Sequence, residues 1–360
     1  MAGQIYLPVA GPDAVVRLQE HLGDEWPSIN AARKRTEEDL ALLRGRLAGL
    51  VPTNTSLVVF GSLGRNEVTQ GSDVDWTLLL DGPADPQHLD VALQIERRLE
   101  EMGRKEPGRE GTFGGLAVSH DIIHKIGGGD DTNRNLTQRI LLLLESACIG
   151  DAVAYQSVIN NVVTRYVYED VAAGAGDTPY KVPRFLQNDI ARYWRTVAVD
   201  FAYKRRLRAA QGWALRTAKL RMSRKLTYVA GLLSTFSVAT DFADDSQQRR
   251  DVGGYRVIKH LRDRFRETPL GIIAGTILQY SPSLDDPARR LFRAYDGFLA
   301  ILDDEDDRKE LEKLSPQDSE HSAVYAHVHQ LGDEFQKALT TIFFDSDTPI
   351  QALTRRYGVF

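Results

Sequence analysis

Two aspartates, Asp73 and Asp75, are the residues of this 360-residue chain whose type and spacing most directly indicate chemistry. They belong to a segment with the composition of a strand. Because side chains alternate along a strand, we expect both carboxylates on one face, with Val74 and Trp76 pointing into the layer beneath. Two carboxylates at this spacing can share divalent cations, and oxygen ligands favour Mg²⁺, with Mn²⁺ as the alternative.

A Gly-Ser pair precedes the aspartates and follows another strand-like segment, Leu57–Phe60. At Gly61 the missing side chain lets a phosphate approach the backbone, and the Ser62 hydroxyl can bond a phosphate oxygen. The alternative is an ordinary hairpin, since Gly, Ser, Asn and Asp are common turn residues. The occurrence of both pairs, each attached to a strand, favours nucleotidyl transfer.

These residues resemble the signature of nucleotidyltransferases of the DNA polymerase β superfamily, in which a Gly-Ser turn is followed at about this distance by Asp-x-Asp. The signature residues here are Gly61, Ser62, Asp73 and Asp75. Further segments look most like the bacterial PII uridylyltransferase branch and related minimal nucleotidyltransferases. They lie at residues 64–67, 71–72, 115–120, 136–137 and 150–151. The similarity covers roughly residues 50 to 155, and the C-terminal half resembles no family that we can name.

The resemblance implies an α+β fold, with a short mixed sheet and helices in a catalytic domain and a mainly helical domain that closes the cleft. Glycine and proline are concentrated at 171–183, so we place the catalytic domain at 1–175, including an N-terminal helix, and the helical domain at 176–360. Helical spacing predicts helices at 27–50 and 86–102.

A site of this type normally needs a third carboxylate from a later strand. Alternation in residues 116–124 predicts a strand that presents Asp121, which is the candidate for the third metal ligand and also for a base. The uridylyltransferase pattern has serine at this position, so the resemblance does not dictate the assignment. The neighbouring pair Asp130 and Asp131 follows a triple-glycine loop and is more typical of a turn or helix start.

Arg65 has two interpretations within the signature loop. It can cap the nucleotide pocket, or it can pair with Glu67 and brace the loop, and we favour the bracing role.

The stretch from Arg184 to Lys225 is strongly basic, with 12 Lys or Arg against two acids in a chain of net charge −5. Arg216, Lys219 and Ser223 lie close together on its second predicted helix. In the wider superfamily a helix of the second domain supplies such groups to the triphosphate, so these three are candidate nucleotide-binding residues. The alternative, without ligand binding, is that the aliphatic parts of the basic side chains cover apolar surface while their charges face solvent.

Other features carry less information about function. His120 and His124 could form a metal pair but lack further ligands, and the acidic block at 303–307 is typical of solvated surface. The apolar C-terminus at 350–360 could dock on a partner or on the protein itself. A single cysteine, Cys148, excludes an intrachain disulfide. Without an apolar run of membrane-spanning length or a signal-peptide pattern, we expect a cytoplasmic protein with no membrane contact.

Three functions therefore compete. The first is transfer of a nucleoside monophosphate from ATP or another nucleoside triphosphate to a hydroxyl on protein or RNA. The second is synthesis of a nucleotide second messenger, and the third is nucleotide-dependent regulation without turnover. The sequence indicates neither the base, nor the acceptor, nor the oligomeric state.

Overall fold

A computed structural model describes residues 13–104, 113–170, 181–207, 212–242 and 254–358. The four strands of its sheet are β1 (Thr55–Phe60), β2 (Trp76–Leu80), β3 (Gly115–Val118) and β4 (Ser146–Ile149). The helices up to the middle of the chain are α1 (Ala14–Leu22), α2 (Pro27–Leu47), α3 (Ser62–Arg65), α4 (Gln87–Glu101), α5 (Ser119–His124), α6 (Asn133–Leu144), α7 (Val153–Glu169) and α8 (Arg184–Leu207). Those that follow are α9 (Trp213–Lys219), α10 (Lys225–Asp241), α11 (Tyr255–Arg264), α12 (Pro269–Gln279), α13 (Asp285–Asp303), α14 (Glu305–Lys313), α15 (Ala323–Thr340) and α16 (Pro349–Leu353). The α+β class is therefore confirmed.

The sheet is mixed, with strand order β3-β2-β1-β4. Strand β1 is antiparallel to both β2 and β4, whereas β3 is parallel to β2. The end of β1 therefore lies beside the start of β2 and the start of β4, since Val59 pairs with Trp76 and Phe60 pairs with Ser146. We call this the Gly61 end of the sheet. The last residue of β3 pairs with Leu80, at the opposite end.

The side chains of β1 and β2 point alternately to the two faces of the sheet, and both sets are buried. Helices α2 and α4 cover one face, and α6, α7 and α8 cover the other. The largest core unites α1 and the start of α2 with helices α9, α10 and α12 to α16. Residues from both halves of the chain thus share one core, and the proposed boundary at 175 falls at 171–180, outside the described residues, so it stays a prediction.

The helices predicted at 27–50 and 86–102 correspond to α2, which continues as a 3₁₀ turn to Leu50, and to α4. The strand-like segment with the aspartates forms a strand only from Trp76 onward, so Asp73 and Asp75 lie just before β2. Val74 and Trp76 are buried beneath the sheet, as alternation predicts.

Two further details differ from the sequence-based expectations. The strand predicted through Asp121 ends at Val118 and continues as α5, so Asp121 is a helical residue. Sequence patterns also missed β4, which is only four residues long and follows an apolar helix. Short strands of this kind are specified mainly by their pairing partners.

The C-terminus packs on the protein itself, which was one of the two expectations. Ile350 is buried in the largest core, and the Gln187 Nε2 donates a hydrogen bond to the Tyr357 carbonyl at 2.7 Å. Among the described residues, no helix combines the length and the apolar character that are needed to cross a bilayer.

Candidate active site

The turn at the end of β1 brings backbone and carboxylate together. Gly61 has φ 65° and ψ −132°, a conformation that strains residues with a side chain. A Cβ atom at this position would lie 3.1 Å from Asp75 Oδ2. The Phe60 N–H donates to the Asp75 carbonyl at 2.9 Å, which fixes this close approach. Ser62 begins α3 here, and its hydroxyl has no protein hydrogen-bond partner among the described residues.

The two aspartates are half-buried beside each other. Burial, together with the charges of Asp73 and Glu145, raises the pKa of Asp75 to about 6 against the opposing effects of Arg224 and Lys219. Crowded carboxylates in a partly dry site carry a repulsion that a divalent cation would relieve. The donor set therefore fits a hard cation such as Mg²⁺, which Asp73 and Asp75 would hold.

Lys219 approaches this acidic pair from the helical half of the chain. Burial lowers the pKa of Lys219, while the charge of Asp73 acts in the opposite direction. Among the described residues, its amine has neither an ion pair nor a hydrogen bond. Lys219 thus combines a half-buried position with an unpaired charge close to Asp73.

A π-helical turn follows Lys219 in the chain. Residues Leu220–Arg224 have π geometry between α9 and α10, so one extra residue is inserted into an otherwise continuous helix. At the end of this turn, Arg224 donates to Glu145, the residue before β4 at the Gly61 end of the sheet. Arg308 of α14 adds positive charge near the same lysine.

A buried network of charged groups supports the site. Arg65 donates from Nε to Glu67 at 2.9 Å and from Nη1 to Glu145 at 3.0 Å. Glu145 also accepts from Arg224 at 2.6 Å and from the Thr227 hydroxyl at 2.8 Å. Arg65 therefore forms the bracing pair with Glu67, and the network links the signature turn to the π turn.

The C-terminal helices hold the loop that leads to the aspartates. The Tyr295 hydroxyl donates to Glu67 at 2.8 Å, and the Asp303 carboxylate accepts from the Gln70 N–H at 2.8 Å. At Gly71 an added Cβ atom would collide with the Arg308 side chain around Nε, so glycine lets that guanidinium pack on the loop. Part of the acidic block is therefore structural, because Asp303 anchors the loop and is not merely solvated surface.

The other predicted nucleotide-binding residues are placed differently from Lys219. Ser223 is buried and interacts with the Tyr295 hydroxyl, so its side chain faces the network. Arg216 lies one turn before Lys219 and is half-buried.

Asp121 is not brought to this site. Strand β3 runs parallel to β2, so the chain leaves it at the end opposite Gly61, and Asp121 follows that exit. Its carboxylate is 46% exposed and forms an ion pair with Lys125 at 2.6 Å. After β2 the chain returns to the Gly61 end of the sheet, where β3 starts. Because β3 then runs away from that end, Asp121 does not come to lie beside Asp73 and Asp75.

No group of three or more His, Cys, Asp or Glu side chains with metal-binding geometry occurs in the described part of the chain. His120 and His124 instead line an open cleft of about 510 Å³ at the far end of the sheet, together with Asp81. Asp131 is fully engaged elsewhere, since Arg139, Arg192 and the Gly127 N–H all donate to it.

Sequence reasoning missed several residues around the aspartates: Glu145, Arg224, Tyr295, Asp303 and Arg308. A usable signal existed for Glu145 alone, because a lone acid between an apolar helix and a short apolar segment must be paired when it is buried. The others lie more than 140 residues from the signature. Arg224 and Asp303 belong to the basic stretch and the acidic block noted above, but no local pattern indicates which of these side chains contact the site.

Comparison with protein-family models matches residues 40–107 to the nucleotidyltransferase domain family. The matched segment runs from within α2 to just beyond α4 and contains Gly61, Ser62, Asp73 and Asp75. It supports the polymerase β type nucleotidyltransferase superfamily for this part of the chain, and it ends before β3. No curated protein matches the chain.

Proposed function

We propose that this protein is a metal-dependent nucleotidyltransferase that moves a nucleoside monophosphate from a nucleoside triphosphate to a hydroxyl and releases pyrophosphate. The observation that carries the proposal is the approach of Lys219, unpaired among the described residues, to the Asp73 and Asp75 pair. One side of the cleft suits metal ions and the other suits the anionic triphosphate. The match of residues 40–107 to the nucleotidyltransferase domain family supports the same reaction class.

The residues have separate roles in this reaction. Asp73 and Asp75 would hold Mg²⁺, which supplies charge neutralisation and a lower pKa for the acceptor hydroxyl. The open backbone at Gly61 and the Ser62 hydroxyl bind phosphate oxygens, and Lys219 pairs with the charge of the phosphates. The acceptor oxygen forms a bond to the α-phosphorus, the bond to the pyrophosphate breaks, and the hydroxyl proton passes to solvent or to a carboxylate.

A second candidate is a nucleotide-binding regulator without turnover. It is favoured by one observation, namely that no third metal-binding carboxylate joins Asp73 and Asp75 among the described residues. A protein of this kind would bind a triphosphate and leave it intact.

The test is incubation of the purified protein with each α-³²P-labelled nucleoside triphosphate and Mg²⁺, with and without cell RNA and lysate. Asp73→Ala and Asp75→Ala should each abolish transfer, by about 10³-fold or more if the metals supply several kcal/mol of stabilisation. Asp121→Ala is the matched control, since it removes a carboxylate at the other end of the sheet, and we expect nearly full activity.

Each outcome discriminates between functions. Label that enters protein or RNA in the wild type alone supports transfer, and a small labelled product formed without an acceptor indicates a second-messenger synthase. Binding of intact triphosphate, with no transfer in any mixture, would replace the proposal with the regulator. Loss of activity in Asp121→Ala comparable to that in Asp73→Ala would contradict the two-aspartate site described above.

A further inference from the structure

The second half of α8 presents an exposed face with an unusual composition. Val199 and Tyr203 are 70% and 60% exposed, which is high for large apolar side chains. Arg195 and Arg206 are exposed as well and follow the same helical spacing, at i, i+4, i+8 and i+11. We call these four residues, with the adjacent exposed Arg205, the α8 face.

The charge of the α8 face is positive and uncompensated. Lys204 is paired with Asp200, the sole acidic residue between positions 195 and 206. Arg195, Arg205 and Arg206 form no ion pair with any part of the chain that the structure describes. A protein with a net charge of −5 thus carries three unpaired guanidinium groups along about 16 Å of one helix.

The α8 face begins beside the candidate active site. Tyr193, two residues before Arg195, is buried, and the charges of Glu145 and Arg224 act on its hydroxyl. The next residue, Trp194, stacks on Tyr228 of α10 with ring centroids 5.5 Å apart. The charge of Arg195 also acts on the Tyr228 hydroxyl, and Tyr228 lies one helical turn after Arg224. A chain-like ligand that followed the face from Arg206 to Arg195 would therefore reach the part of α10 that adjoins Arg224.

We propose that the α8 face binds single-stranded RNA and that this RNA is the acceptor of the transferred nucleotide. The assignment of an acceptor rests on the proposed function. Guanidinium groups commonly bind the phosphates of a nucleic-acid backbone. An exposed tyrosine among them offers a surface on which an unpaired base can stack. A folded protein acceptor would offer neither evenly spaced phosphates nor free base faces. The combination of Tyr203 with three unpaired arginines therefore favours RNA over protein.

Fluorescence anisotropy with a labelled 20-nucleotide RNA of mixed sequence tests the binding directly, over a series of salt concentrations. Arg195→Ala/Arg205→Ala/Arg206→Ala should weaken binding at least tenfold and reduce the slope of log K against log salt by about 2, since each cation contributes about 0.7 for single strands. Tyr203→Ala should weaken binding several-fold, and Tyr203→Phe should retain it because the ring is kept. The matched control is Arg97→Ala/Arg98→Ala, which removes two exposed arginines from α4 and should leave RNA binding unchanged.

The outcomes separate this inference from the proposed function. If the triple variant binds RNA as tightly as the wild type, or if the wild type does not bind RNA at 150 mM salt, the α8 face is not an RNA site. Label that enters a protein acceptor with the triple variant as well as with the wild type would also overturn it. If RNA binds through the α8 face but no nucleotide is transferred to any acceptor, the RNA site stands and the proposed function fails.

Discussion

Arg65 and Glu145 form a buried ion pair, with Nη1 3.0 Å from Oε2 and the carboxylate fully shielded from solvent. The pair connects the turn after β1 with the residue before β4. Because Glu145 also accepts from Arg224, the same carboxylate ties the signature turn to the helix that carries Lys219. The two sides of the candidate cleft therefore depend on one buried group.

Replacement of Glu145 should be strongly destabilising. Burial would raise the pKa of Glu145, but the charges of Arg65 and Arg224 and the hydrogen bond from Thr227 outweigh it and lower the pKa. Glu145→Ala leaves both guanidinium groups without their partner, and we expect a loss of about 3–5 kcal/mol in the free energy of unfolding. Urea unfolding at pH 7.5 measures it.

The control for this variant is Glu101→Ala on α4. Glu101 pairs with Arg98 on an exposed surface, at 3.5 Å, and such pairs contribute about 0–1 kcal/mol. Equal losses in the two variants would mean that the buried network does not hold the site together.

Asp75→Asn should stabilise the metal-free protein, and the gain should depend on pH. Since the folded pKa of about 6 exceeds the value of 3.8 for a free aspartate, the folded state binds the proton more tightly. Deprotonation therefore costs stability from about pH 4 upward, and the cost levels off above pH 6 at about 3 kcal/mol. The variant lacks this cost, so it should be the more stable protein at pH 8 and equal to the wild type at pH 4.

Urea unfolding in EDTA at several pH values checks this prediction. Added Mg²⁺ should stabilise the wild type at pH 8 and stabilise Asp75→Asn much less. A variant that is less stable than the wild type at pH 8 in EDTA would show that burial and the neighbouring carboxylates do not raise the pKa of Asp75.

Gly61→Ala should impair the site more than it impairs the fold. The positive φ alone costs about 1–3 kcal/mol for a residue with a side chain, and the new methyl group would press on the Asp75 carboxylate. Gly23→Ala is a matched control, since Gly23 has φ 61° and no atom lies within 4 Å of the position that its new methyl group would take. Both variants should lose stability in urea, but only Gly61→Ala should lose Mn²⁺ binding in calorimetry. Unchanged Mn²⁺ binding would remove Gly61 from the site.

Gly71→Ala should couple energetically to Arg308. Contact of the new methyl group with the guanidinium should cost about 1–3 kcal/mol in unfolding free energy, as overpacking does. In an Arg308→Ala background the same change should cost at least about 1 kcal/mol less, because the free-energy effects of substitutions at residues in contact are not additive. Gly45→Ala, in an open position of α2, should be stabilising by about 1 kcal/mol. Additive effects of Gly71→Ala and Arg308→Ala would contradict the contact.

The sequence by itself determined the features that depend on neighbours along the chain. A turn is indicated by the apolar segment before Gly61 and by Ser62, and a carboxylate pair is indicated by the spacing of Asp73 and Asp75. Neither indication depends on how the rest of the chain folds. Helical periodicity likewise located α2 and α4, and it placed Lys219 close to Arg216 and Ser223 on one predicted helix. These patterns involve residues that are close in the sequence, so they can be recognised without knowledge of the fold.

Only the tertiary structure decided which distant residues meet. Asp121 was expected beside the aspartates, but the parallel pairing of β2 and β3 carries it to the opposite end of the sheet, and strand direction is not written in a local pattern. Glu145 and Arg308 reach the site through strand order and helix packing across more than 70 residues of chain. Which buried charges become partners depends on how the whole core packs. The periodicity that predicts a helix or strand therefore cannot predict which other elements that helix or strand contacts.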